Sequence, residues 1–105
     1  MGYLNYGQSG QGVPIDDRTL SHLQMVIVSK LRRGESFLFT VDLADGSVTR
    51  EALWLNEAVT MSFAYTDQHR HAPNRAWLEQ LVISANSAQG LVILDEPAEV
   101  VVQKK

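Results

Sequence analysis

The sequence predicts an α+β domain: an antiparallel sheet in the order β-β-α-β-β-β-α-β, with an optional final β, and two helices packed on one face. Three observations predict it. Leu20, Leu23, Ile27 and Leu31 recur at helical spacing, and Trp77, Leu78, Leu81, Val82 and Ala85 repeat that spacing later in the chain. Between these stripes Phe37, Phe39, Val41 and Leu43 alternate with Leu38, Thr40 and Asp42, which is the period of a strand. Asp45-Gly46 then follows, a strong short hairpin signal. At 105 residues the chain reads as a single domain, 1–105, with 98–105 as an optional edge strand and tail.

Each element has a local reason. Tyr3, Leu4 and Tyr6 suit a first short strand over 2–7, and the Gln8–Gly12 stretch is a flexible tip. Val13-Pro14-Ile15 returns as a second strand, and Pro14 confines it to an edge or an end because it cannot donate to a ladder. Asp16 is an N-cap, Asp17 complements the positive end of the helix dipole, and the helix runs to about Arg33 with Gly34 as its stop. Met25 and Val28 lie off its main stripe, and a helix apolar on two sides is normally covered on two sides.

In the middle, a two-residue loop at Asp45-Gly46 pairs Val41 with Arg50, Phe39 with Ala52 and Phe37 with Trp54. A second turn at Asn56-Glu57 pairs Trp54 with Val59, Ala52 with Met61 and Arg50 with Phe63. In this register the reverse face carries Thr40, Asp42, Thr49, Glu51, Thr60 and Ser62, with Leu38, Leu53 and Leu55 clustered at one end. Thr66 to Pro73 is a polar loop, Asn74 caps a helix over 75–87, and Leu91 to Leu94 reads as a buried strand.

Composition sets bounds on function. The absence of cysteine excludes disulfides, thiolate metal sites and cysteine catalysis. No apolar run approaches the roughly 20 residues of a membrane span, and no export signal opens the chain, so the expected address is the cytoplasm. Nine Lys and Arg stand against twelve Asp and Glu, a net charge of −3, whereas a free-standing nucleic-acid coat carries a basic excess.

The chemical candidates are few. His69 and His71 flank Arg70 and would share a side of an extended segment, but a metal site needs a third ligand, and a solvated loop is the simpler reading. The glycines at 7, 10 and 12 lack the helix start or lysine of a phosphate cradle. Lys30, Arg32 and Arg33 form the one concentrated basic cluster; Arg70 and Arg75 join it if the second helix starts nearby. Such a cluster contacts phosphate or an acidic partner, or merely complements a helix C-terminus. No catalytic motif, metal site or cofactor box emerges.

Several stretches taken together resemble a known family. They are Met1–Gly7, Asp17–Leu23, Lys30–Phe37, Leu53-Trp54-Leu55, Asn74–Glu79, Ser84–Ser87 and Gly90-Leu91. The chain to about Leu94 resembles a family of roughly hundred-residue proteins of unknown function from actinobacteria and their phages, some of them labelled "ATP-dependent DNA ligase". Ligase activity does not carry over. Its nucleophile needs a Lys-x-Asp-Gly context, and neither Lys30, Lys104 nor Lys105 stands in one.

The expected function is a non-catalytic binding or assembly module, a homodimer or a partner of another protein. Its expected contacts are Met25 and Val28 on the first helix and Leu38, Leu53 and Leu55 behind the sheet. The alternative is a nucleic-acid accessory protein using Lys30, Arg32, Arg33, Arg70 and Arg75, followed by a small-ligand or metal site at His69 and His71. No membrane role is expected.

Overall fold

The computed structural model describes residues 1–7, 12–43 and 50–98. It is α+β. Its elements follow in the order β1 (Gly2–Tyr6), β2 (Gly12–Ile15), α1 (Asp17–Arg32), β3 (Phe37–Asp42), β4 (Arg50–Leu55), β5 (Met61–Ala64), α2 (Arg75–Ala85) and β6 (Leu91–Val92). The expected order of elements is therefore the observed one. Gly12, expected in the tip over 8–12, instead opens β2; the rest of that tip, the Asp45-Gly46 turn and the optional strand from Ala98 beyond its first residue lie outside the described residues.

Both helices begin where local chemistry places them. The Asp16 carboxylate accepts from the Thr19 N–H at 3.3 Å, and the Asn74 side-chain oxygen accepts from the Trp77 N–H at 3.3 Å. Gly34 ends α1 at a φ of 73°, the left-handed conformation that a C′ glycine supplies without strain.

The strands form two three-stranded sheets, in the orders β2-β1-β5 and β4-β3-β6. This corrects the expected continuous meander in two places. First, β5 pairs with β1, Leu4 opposite Phe63, and leaves β4 alone. Met61, Phe63 and Tyr65 still turn toward the core as expected. Alternation decides which face a strand buries; packing against distant residues, here the fully buried Leu4, decides which strand it joins. Second, β3 pairs with β4 one residue away from the expected register: Phe37 faces Leu55, Phe39 faces Leu53 and Leu38 faces Trp54. A one-residue slip turns every side chain of β4 over. Leu53 and Leu55 now join the core side, and Trp54, Ala52 and Arg50 point away from it. The last strand, β6, lies parallel to β3, with Phe39 opposite Leu91.

One core connects the layers. Leu20, Leu23, Val26 and Ile27 of α1 meet Leu4, Val13 and Ile15 of one sheet, Phe37, Phe39, Val41, Leu55 and Leu91 of the other, and Trp77, Leu81 and Ala85 of α2. Among the described residues, no helix is long and apolar enough to cross a membrane.

Candidate functional site

Two surfaces hold most of the residues singled out from the sequence. The first is the solvent side of α1. Met25 is 40% exposed and Val28 is half-buried, so the second apolar side of this helix is left open rather than covered. Gln24, Met25, Val28, Ser29, Arg32 and Arg33 line a shallow depression of about 550 Å³. Gln24 and Met25 also line a second depression, of about 780 Å³, whose far wall is the loop residues Asp67 to His71 with Tyr65. The two share Gln24 and Met25 and so adjoin as a trough along the helix. Tyr65 is held across it by donating its hydroxyl to Gln24 Oε1 at 2.5 Å; burial, and then the charge of Asp17, push its phenol above the ordinary range.

The basic candidates divide. Lys30 turns inward and is 5% exposed; its ammonium donates to Glu35 Oε1 at 2.9 Å and Asn86 Oδ1 at 2.6 Å, above the Phe37 ring. That hydrogen bond from Lys30 holds the Glu35 carboxyl below its usual range despite some desolvation. Lys30 therefore ties the end of α1 to the end of α2. Arg32 and Arg33 are exposed, and Arg33 makes an ion pair with Glu35 at 3.4 Å. They line the first depression and Arg70 the second, while Arg75 opens α2 outside both linings.

His69 and His71 meet edge to face, with ring centroids 4.7 Å apart. Asp67 is drawn into the loop by accepting from the His69 N–H at 2.9 Å. His71 Nε2 is enclosed and has no hydrogen-bond partner among the described residues. No group of three or more potential ligands gathers around this pair or elsewhere among the described residues.

The second surface is the outer face of sheet β4-β3-β6. Trp54 is 56% exposed there, opposite Leu38, with Thr40 and Ala52, then Asp42 and Arg50, as the next cross-strand pairs and Val92 beside Thr40. Leu38 is half-buried and keeps its expected position on this face. Leu53 and Leu55 do not: Leu55 is fully buried and Leu53 packs against the core. Trp54, which the sequence reading placed inside, takes their place. The Tyr6 hydroxyl donates to its carbonyl, and Asp42 pairs with Arg50 at 3.7 Å.

The third feature was not legible in the sequence. His22 is wholly buried against Trp77, ring centroids 4.5 Å apart. Its Nε2 accepts from the Asn74 N–H at 2.9 Å, so its Nδ1–H donates to the Arg18 carbonyl at 2.9 Å. Arg18 grips Glu96 with two bonds, Nε to Oε1 at 2.8 Å and Nη2 to Oε2 at 2.7 Å. Asn74 donates its amide to Glu96 Oε2 at 2.9 Å, and Trp77 Nε1 donates to the Leu94 carbonyl at 2.9 Å. The segment after β6 is thereby strapped across both helices.

The Arg18 guanidinium, seconded by the Asn74 amide, holds the Glu96 carboxyl at about 2, against 4.5 for an ordinary glutamate. A carboxylate with a lowered native pKa stabilises the fold above its unfolded value and loses that contribution as the pH falls toward the native one. Stability from this strap is therefore complete above pH 4.5 and decays toward pH 2. Glu96→Gln is expected to flatten the acid limb in that window, measured as the urea midpoint against pH. An unchanged slope would refute the assignment. Asp17 adds a second, separate acid-sensitive contact. Burial raises its pKa, but the Thr66 hydroxyl and N–H and the N-terminal ammonium outweigh burial and leave it below the usual value.

Fold and surfaces together define a small α+β domain with two open faces that each expose apolar side chains, and a fully bonded internal histidine. The chain belongs to the family described as Domain of unknown function (DUF7882), whose model matches residues 1–96. No curated protein and no solved structure matches it.

Proposed function

We propose that this protein is a non-catalytic assembly module that pairs with a second copy of itself through the outer face of sheet β4-β3-β6. The observation that carries the reading is Trp54. It is a large aromatic side chain more than half exposed, on a sheet face shared with Leu38, Ala52 and Val92. Large exposed aromatics on an apolar face mark contact sites. The chemistry of the rim favours a second copy. Asp42 and Arg50 supply one charge of each sign at the end of the patch, so two copies related by a twofold axis present arginine to aspartate and aspartate to arginine. A surface of balanced charge also lets a chain of net charge −3 approach itself.

The non-catalytic part of the reading is supported by His22. Both of its ring nitrogens are spent on backbone groups, which suits a structural histidine rather than a proton carrier. A cytoplasmic setting and an actinobacterial or phage source belong to the same reading, on the strength of composition and of the stretches quoted above.

Light scattering and native mass spectrometry of the wild type and Trp54→Glu test it. The wild type is expected to dimerise, and the variant to weaken dimerisation roughly thirtyfold or more, the effect of losing a central hot spot. Because Trp54 is exposed, the variant should melt like the monomeric wild type. A wild type monomeric at high micromolar concentration, or a dimer that Trp54→Glu leaves intact, overturns the proposal.

A further inference from the structure

We infer that the trough along α1 is a second docking site, and that it receives an acidic amphipathic segment of a different protein. Three features of its lining lead there. It offers an apolar floor patch: Met25 lines both depressions and Val28 the first, and methionine adapts its shape to a partner's side chains. Its ends are basic: Arg32 and Arg33 stand at one and Arg70 at the other, on a molecule whose net charge has the opposite sign. Arg32 and Arg70 have no ion-pair partner among the described residues. The one carboxylate of the lining, Asp67, is turned to the His69 N–H, and Glu35, outside it, is shared by Lys30 and Arg33.

Charge and apolarity together choose the occupant. A segment with apolar residues on one side would fill the floor, and Asp and Glu beside them would reach the arginines. Helical residues rise about 1.5 Å each, so the run from Ser21 to Arg33 is roughly 18 Å long, matching about three turns of a partner helix. A nucleic acid fits less well. Three arginines neutralise few phosphates, and the apolar floor offers nothing to a phosphate backbone. Nor does a second copy fit, since the trough would meet an identical basic trough. The site shares no residue with the Trp54 face, so either proposal stands if the other falls.

The experiment is selection of phage-displayed random peptides of about 16 residues, long enough for three helical turns, on the intact protein. A fluorescein-labelled single-stranded oligothymidylate serves as the competing probe. Selected peptides are expected to carry an excess of Asp and Glu with apolar residues at i, i+3, i+4 and i+7, and to lose affinity as salt rises. Arg32→Glu with Arg70→Glu should weaken them roughly a hundredfold, and Met25→Ser roughly tenfold, for loss of rim charge and floor contact respectively. All three side chains are exposed, so unchanged melting of the variants would separate binding from folding. Neutral or basic selected peptides, failure to select any, indifference to these substitutions, or oligothymidylate binding more tightly than the peptides would each overturn the inference.

Discussion

Replacing His22 by alanine is expected to lower the unfolding free energy by about 3 kcal/mol, read as a shift of the urea midpoint at constant slope. The loss has two parts. A cavity opens beside Trp77 in a site with no exposure, and the Asn74 N–H and one bond to the Arg18 carbonyl lose their partner inside the protein. An amide N–H left unpaired in a dry site alone costs about 1–3 kcal/mol. Glutamine carries both an acceptor and a donor, so His22→Gln should recover about 1 kcal/mol of the loss. His22→Ala also loosens the start of α2, because Asn74 is both the partner of His22 and the cap that accepts from Trp77. A cost under about 1 kcal/mol would mean that water replaces the ring, and that the histidine is no hub.

Gly90→Ala is expected to be similarly damaging, by about 3 kcal/mol, which for a domain of this length is a fall in melting temperature on the order of 15 °C. Gly90 has a φ of 83°, and a Cβ built on it would stand 2.4 Å from the Leu38 carbonyl oxygen. Both the twist of the backbone and the closeness to β3 demand glycine. The alanine must either strain or push Leu91 away from Phe39, undoing the parallel pairing of β6. Calorimetry reads the loss directly; a variant that melts within a few degrees of the wild type would show that β6 hangs loosely on the sheet.

These two sites show where a sequence speaks and where it falls silent. Both helices were legible because their signals are local: the Asp16 and Asn74 caps reach three residues ahead, and Gly34 follows its own helix. The inward faces of β3 and β5 were legible from alternation alone. Strand partners were not, since the alternation of β5 is satisfied equally well by β4 or by β1. The face of β4 hung on a single residue of register, and with it the exchange of Trp54 for Leu53 and Leu55 as surface residues. The open side of α1 was legible in Met25 and Val28, whereas the inward turn of Lys30 was not, because it depends on Asn86. Arg18 and Glu96 stand 78 positions apart and carry no pattern that would join them.

The crossed pairing of the two sheets has a kinetic consequence. Leu4 must wait for Phe63, and Phe39 for Leu91, before either sheet is complete. Closing such long stretches of chain costs entropy before any contact repays it, so folding should take milliseconds to seconds rather than microseconds. On the ribosome the wait is longer. With β1 synthesised first and the Glu96 strap last, the domain cannot finish folding until nearly all of its described residues have emerged.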